Sequence, residues 1–300
     1  MAVFTEDYII SEHGALIRGI TSVYGALKSM QYIDDAELMS PPYANFPVEQ
    51  LTSIGLEPEA VALLRYLPYL AHPIEISFSS NSYSYLNNVD RAREVLWEGG
   101  NDLAPWAIRL SHCRAYPGLH GRTIIYDLRS KGIIQWASNE RGYTNTYLDL
   151  PSTPSEDFFV QWVGYLRDLK EIPWRHRYGR QVLTEPPAGP SNYVDFTASG
   201  YTDPSEPVTV NSEQFDIDRF NTQEALKKLF MDHGWPDDFR GDEFKTARQR
   251  WQEEFNRLEM ARDTAMQGGS PEAKARAFDE CSKFLEESAG PAAVVKARND

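Results

Sequence analysis

Residues 55–70 carry a hydrophobic pattern that changes from helical to extended spacing. In the first half of this stretch the apolar residues recur every three or four positions, which predicts a short helix with one buried stripe. Pro58 suits the first turn of that helix, and Pro68 ends it, because proline has no N–H to donate and clashes with the preceding turn. Over residues 74–78 the apolar side chains alternate, as they do in a strand. The pattern therefore predicts a helix that leads into a strand, and we place the core around it.

Helical spacing of apolar residues recurs in five other parts of the chain. The five predicted helices cover about 12–31, 155–171, 221–234, 242–267 and 271–288. In the first of them, Gly14, Gly19 and Gly25 each lower the helix propensity by roughly 1 kcal/mol relative to alanine. We therefore expect tertiary packing, rather than intrinsic propensity, to hold this helix.

The strongest strand signal lies in the middle of the chain. Thr123–Leu128 and Gly132–Ala137 are rich in β-branched and aromatic residues, and the short connection 129–131 predicts a hairpin. One face of this hairpin is predicted to carry five large side chains, Ile124, Tyr126, Leu128, Ile134 and Trp136. Shorter strands are predicted at 74–78 and 106–110.

Helices and strands do not alternate as β-α-β units along the chain, which disfavours a doubly wound parallel sheet. We predict an α+β fold, an antiparallel sheet of four to six strands packed with helices, plus a helical C-terminal extension. Residues 184–220 are rich in proline, glycine, serine and threonine, which is typical of a linker or a long loop. The predicted domains are therefore an α+β core at 1–183, this Pro-rich segment, and a helical region at 221–300.

The charge and composition of the chain disfavour some partners. The net charge at pH 7 is −14, and the first 60 residues alone carry −7. An acidic surface repels phosphate backbones, which disfavours DNA as a partner, and tRNA as well unless arginines converge. No run of apolar residues is long enough to span a membrane. The chain has two cysteines and no apolar leader after Met1, from which we expect a cytoplasmic protein.

Asp34, Asp35 and Glu37 form an acidic cluster after the first predicted helix. Three carboxylates this close could serve catalysis, or could hold a hard cation such as Mg²⁺ through one or two oxygens and water. The alternative is a solvated acidic loop, which is common in a chain of this charge. These three residues are the candidate catalytic groups, and the sequence assigns no metal or cofactor to them.

Arg175, His176 and Arg177, with Arg180 nearby, form the only basic cluster of the sequence. Arginine beside aromatic residues suits an anion or the phosphate end of a nucleotide, so these four are candidate substrate-binding residues. The alternative is a solvated helix end, because basic residues stabilise the C-terminus of a helix such as the one predicted at 155–171.

The common catalytic motifs are missing from the sequence. It contains no phosphate-binding loop, no dinucleotide-binding glycine fingerprint, no nucleophile elbow and no zinc-protease motif. The commonest nucleotide-binding and hydrolase classes are therefore disfavoured, although catalysis as such is not.

Four short motifs resemble those of a large, mostly uncharacterised family of filamentous-fungal proteins. They are Gly55–Pro58, Leu63–Leu70, Ile125–Asp127 and Gly234–Pro236. These motifs mark helix ends and a hairpin, so the resemblance covers most of the chain but carries no chemistry with it.

Two functions are implied by more distant resemblances. The chain resembles, at family level, the fungal arginine-containing cyclodipeptide synthases, which join aminoacyl groups delivered by tRNA in secondary metabolism. That resemblance implies aminoacyl-tRNA as a partner but assigns no catalytic positions. Under this hypothesis the acids would be sought at Asp34, Asp35 and Glu37, and the phosphate grip at Arg175 and Arg177. Alternatively, the order of hairpin 123–137 and helix 155–170 is similar to the SUKH superfamily. That similarity implies an α+β scaffold that binds a protein partner and does no chemistry.

Overall fold

A computed structural model describes residues 4–94, 102–113, 122–137, 147–177, 179–184 and 208–295. The chain divides into two units, Met1–Leu166 and Arg167–Asp300. The described residues form seven α-helices and four antiparallel sheets of two to four strands, which confirms the predicted α+β class. Among these residues, no helix is both long enough and apolar enough to cross a membrane.

Four helices belong to the first unit. They are α1 (Glu6–Ser29), α2 (Val48–Ser53), α3 (Pro58–Leu64) and α4 (Ser155–Arg167). Helix α1 begins before the predicted residue 12, because Thr5 caps it by accepting the Tyr8 N–H on its hydroxyl oxygen at 3.3 Å. The buried stripe of α1 includes Ile9, Leu16, Ile20, Val23 and Leu27. Helix α3 begins at Pro58, as the first-turn proline predicts.

Nine short strands of the first unit form three antiparallel sheets. They are β1 (Leu38–Met39), β2 (Tyr69–Leu70), β3 (Glu75–Ser77), β4 (Ser80–Ser82), β5 (Ala107–Arg109), β6 (Ser111–Cys113), β7 (Arg122–Asp127), β8 (Gly132–Ala137) and β9 (Thr153–Pro154). The strand orders are β1-β2, β3-β4-β6 and β5-β7-β8-β9. The largest sheet within the described part of the chain thus has four strands, at the lower end of the predicted range.

The hairpin of β7 and β8 has a different register from the predicted one. Ile125 pairs with Ile134, so Ile134 shares its face with Ile125 rather than with Tyr126. The difference arises because the connecting turn includes Leu128 as well as residues 129–131, and a shift of one residue moves a side chain to the other face. One core cluster of this unit contains Leu103, Ala107, Ile125, Ile134 and Tyr147.

A hairpin and three long helices form the described part of the second unit. They are β10 (Glu171–His176), β11 (Gly179–Thr184), α5 (Gln214–Asp232), α6 (Gly241–Gly268) and α7 (Pro271–Ala289). Helix α7 begins as predicted, because the Ser270 hydroxyl accepts the Ala273 N–H at 3.3 Å and Pro271 fills the first turn. Aromatic rings pack between the hairpin and α6, with the Trp174 and Phe255 ring centroids 5.7 Å apart.

The β10–β11 hairpin replaces the end of a predicted helix. Helix α4 ends at Arg167 rather than at residue 171, and the chain then runs as a strand with Ile172 and Trp174 buried. Because this hairpin packs on α5 and α6, it groups with the carboxy-terminal unit, whereas the predicted core domain extended to 183. Most of the predicted linker, residues 185–207, lies outside the described residues.

Candidate functional site

The three candidate catalytic carboxylates lie together on a single turn of 3₁₀ helix, Asp35–Glu37, in the first unit. Glu37 Oε2 accepts the backbone N–H of Asp34 at 2.9 Å, as in a capping box. The Asp35 carboxylate forms an ion pair with Lys28 at the end of α1. Asp34 and Asp35 are exposed to solvent. No group of three or more His, Cys, Asp and Glu side chains that could hold a metal occurs within the described ranges. These carboxylates therefore stabilise the end of a helix and a turn.

The candidate substrate-binding residues lie on the β10–β11 hairpin of the second unit. Arg175 lies directly opposite Arg180 in the register of the hairpin, and His176 opposite Gly179. The alternative interpretation of this cluster as the end of a helix is wrong, because Arg175 and His176 are strand residues. Like charges that face each other across two strands repel, so the hairpin needs negative partners to hold them.

Helix α6 supplies carboxylates to His176 and Arg177, the two residues that follow Arg175. The His176 Nε2 atom lies 2.8 Å from Glu259 Oε2, and the Arg177 Nε atom lies 3.1 Å from the same oxygen. A second nitrogen of Arg177 donates to the carboxylate of Asp263. Glu259 is 8% exposed, so this shared carboxylate is largely shielded from water. Two of the four candidate substrate-binding residues, His176 and Arg177, are thus bound to carboxylates inside the second unit.

The charge network continues from Glu259 into α5 and α7. Arg262 Nη2 lies 3.3 Å from Glu259 Oε1, and Arg262 Nη1 lies 3.5 Å from Asp218 Oδ2. The other oxygen of Asp218 accepts hydrogen bonds from the Ser282 hydroxyl and the Gln214 amide, each at 2.9 Å. Burial raises the pKa of Asp218 above its usual range, and these two hydrogen bonds partly offset that rise. The network therefore joins the hairpin to three helices through side chains alone.

The sequence analysis did not identify the α6 residues of this network. Glu259, Arg262 and Asp263 are spaced i, i+3 and i+4, which places them on one face of a helix. That face also carries the buried Phe255 and Leu258. Charged residues within an apolar helical stripe were the available signal, but the hairpin partners of Glu259 and Asp263 lie more than eighty positions away in sequence.

A second polar network lies in the first unit, where α1, α3 and β7 meet. His13 of α1 is 1% exposed; its Nδ1 atom lies 2.7 Å from the Tyr126 hydroxyl, and its Nε2 atom 3.2 Å from Glu59 Oε1. Because a carboxylate can only accept, the Nε2–H donates to Glu59 and the Tyr126 hydroxyl donates to Nδ1. The Tyr8 hydroxyl also donates to Glu59 Oε1, at 2.8 Å.

Tyr126, His13 and Glu59 are hydrogen-bonded in a row, as in an acid–base relay. The tyrosine at the inner end of this row is buried and closed to a substrate. Tyr126 is 1% exposed, whereas the side chain of Glu59 is 28% exposed. Burial raises the pKa of the Tyr126 hydroxyl, so that it stays protonated. A substrate could reach Glu59 but not the tyrosine, and the network thus holds three elements together.

The stability of the protein should depend on pH through His13. Burial lowers the pKa of His13, and the charges of Glu59 and Glu12 only partly oppose this, while Lys131 adds to it. The folded state therefore binds fewer protons than the unfolded state below about pH 6.5, and stability is lost as the pH falls through that range, by at most about 1.4 kcal/mol per pH unit. Urea midpoints measured from pH 8 to pH 5 should flatten in His13→Gln and remain steep in His72→Gln, whose histidine is exposed. Equal pH profiles in the two variants would contradict this assignment.

Comparison with known proteins adds no relative from which a function could be transferred. No protein-family model, no curated protein and no solved structure matches the chain.

Proposed function

We propose that this chain is a non-catalytic protein-interaction module, as the SUKH-type resemblance implies, rather than a cyclodipeptide synthase that uses aminoacyl-tRNA. The observation that supports it best is that His176 and Arg177 are bound to Glu259 and Asp263. The synthase hypothesis assigns its phosphate grip to Arg175 and Arg177, and Arg177 is already paired with two carboxylates. That hypothesis therefore stays a prediction, with one of its two phosphate-binding candidates already occupied.

The amino-terminal turn of α1 is the surface that we assign to the partner. Tyr8 is 40% exposed, and the acidic Glu6 and Asp7 lie in the same turn of the helix. The Phe4 and Tyr8 rings are 5.3 Å apart, and the hydrogen bond to Glu59 fixes the Tyr8 hydroxyl. Aromatic residues held in place are typical anchors of interfaces, and carboxylates around them favour a basic partner. The partner class is thus a basic segment with at least one large apolar side chain.

Replacing both aromatic anchors, Phe4→Ala with Tyr8→Ala, should weaken partner binding at least about tenfold, which corresponds to ~1.4 kcal/mol. The measurement uses an array of synthetic peptides of varied charge, followed by fluorescence anisotropy on the peptides that bind. Bound peptides should be basic, and their affinity should fall as salt increases. The matched control is Met260→Ala with Met266→Ala, because these α6 residues are 59% and 51% exposed and should leave binding unchanged.

Two results would contradict the proposed function. One is equal loss of binding in both double variants, or binding that favours acidic peptides. The other is an arginine-containing cyclic dipeptide in extracts of a host that expresses the chain, absent when Asp34→Asn and Asp35→Asn are introduced together.

A further inference from the structure

The guanidinium of Arg109 is a buried positive charge in the first unit. Arg109 ends strand β5 and is 2% exposed. Its backbone N–H donates to the Tyr85 hydroxyl at 2.8 Å, and its strand pairs with β7 opposite Ile125. The backbone is therefore fixed on both sides, and the guanidinium is held at one place in the interior.

The described residues give this charge only neutral partners. Arg109 Nη1 donates to the backbone oxygen of Glu94 at 2.7 Å, and the guanidinium carbon lies 4.1 Å from the centroid of the Tyr83 ring. Within the described ranges no carboxylate lies in ion-pair contact with Arg109, and its buried Nε–H has no acceptor. The carboxylate of Glu94 itself pairs with Arg91, at 2.6 Å.

These neutral partners leave most of the cost of burial in place. Taking an arginine out of water costs several kcal/mol unless an anion compensates it, whereas a desolvated cation–π contact contributes about 2 kcal/mol. Burial raises the pKa of Tyr83 to about 12, so that this ring is neutral and is no counter-ion. Among the described residues this buried guanidinium therefore has no oxyanion partner.

We propose that Arg109 anchors a binding site for the carboxylate or phosphate group of a small ligand, with the Tyr83 ring against the guanidinium. The planar fork of arginine matches either oxyanion through paired N–H donors, and Nε is the donor left for it. This inference does not rest on the proposed protein-binding function, since it concerns a different part of the first unit.

A second arginine near the same turn has the same kind of partners. Arg93 donates from Nε to the Leu103 oxygen and from Nη1 to the Ile54 oxygen, each at 2.9 Å. No carboxylate pairs with Arg93 among the residues that the structure describes. The Arg93 guanidinium contacts different groups from those that Arg109 contacts, so the proposed site rests on Arg109 alone.

The test is thermal unfolding of the full chain with sodium acetate, sodium benzoate or sodium phosphate, each compared with sodium chloride at equal ionic strength. We expect one of these anions to raise the midpoint of the wild-type chain saturably, by roughly 5–10 °C at about a hundred times its dissociation constant. A shift with phosphate alone identifies a phosphate ligand. A shift with acetate or benzoate identifies a carboxylate, and a larger shift with benzoate indicates a ligand with an apolar body beside Tyr83.

Arg109→Met separates a binding site from a structural arginine. The variant should lose the anion-dependent shift, and its midpoint in chloride should equal or exceed that of the wild type, because methionine fills similar space without a charge. Arg65→Met, at an exposed position, should keep the wild-type shift. The proposal is overturned if no anion shifts the wild type beyond chloride, if Arg109→Met shifts equally, or if its midpoint in chloride falls well below the wild type. Should Arg109→Met not fold, Arg109→Lys, which keeps the charge but loses the planar fork, should show a much smaller anion-dependent shift, and an undiminished shift would overturn the proposal.

Discussion

Replacing Glu259 by glutamine should lower the free energy of unfolding of the second unit by about 3–5 kcal/mol, because it leaves the largely buried guanidiniums of Arg177 and Arg262 without their shared carboxylate. His176 Nε2, Arg177 Nε and Arg262 Nη2 lie within 2.8–3.3 Å of this carboxylate. Glutamine has nearly the same shape, so that the loss reports charge rather than packing. Urea unfolding followed by tryptophan fluorescence is a suitable measurement, since Trp174 and Trp251 lie in this unit with ring centroids 6.1 Å apart.

Glu254→Gln provides the matched control on the same helix. Glu254 accepts hydrogen bonds from Arg257 at 2.6 and 2.8 Å, but this pair lies at the surface with both side chains well exposed. Exposed pairs contribute about 0–1 kcal/mol, so this variant should unfold almost like the wild type. Similar losses in the two variants would mean that Glu259 is not the centre of a buried network.

Substitutions of two glycines of α1 by alanine should change stability in opposite directions. A Cβ atom at Gly19 would lie 2.2 Å from Cδ2 of Phe159 on α4, so Gly19→Ala should lower stability by about 1–3 kcal/mol through overpacking. A Cβ at Gly25 would meet nothing within 4 Å, so Gly25→Ala should raise stability by about 0.5–1 kcal/mol through helix propensity.

Thermal and urea unfolding of these two variants gives the measurement, and each serves as the control for the other. If Gly19→Ala were as stabilising as Gly25→Ala, the close approach of α1 and α4 would be wrong. Propensity alone predicts the same gain at both positions, and only the packing at Gly19 reverses its sign.

The helices could be predicted from the sequence because their signals are local. Ser270 and Pro271 mark the start of α7 by residue type alone, and the stripe of α1 follows from spacing of three and four. The register of the β7–β8 hairpin could not be predicted in this way. Residues 123–127 are buried on both faces of the strand, so alternation does not show which side chain faces which partner.

The charge networks could not be predicted because they depend on contacts between distant parts of the chain. His13 is one polar residue in an apolar stripe, and nothing near it in sequence indicates Glu59 or Tyr126. The β10–β11 hairpin was missed because Pro173 and three basic residues interrupt the usual strand composition. In that hairpin Arg175 and His176 are strand residues, so they do not lie at the end of a helix.

The proposed function requires that the basic cluster be held inside the second unit, and a double-mutant cycle between Arg177 and Glu259 measures this directly. Arg177→Gln, Glu259→Gln and the combined variant are compared with the wild type by urea unfolding. We expect the two changes to be non-additive, with a coupling energy of about 1–3 kcal/mol. Losses that add to within about 0.3 kcal/mol would contradict the pairing. Such an additive result would remove the main observation that supports the proposed function.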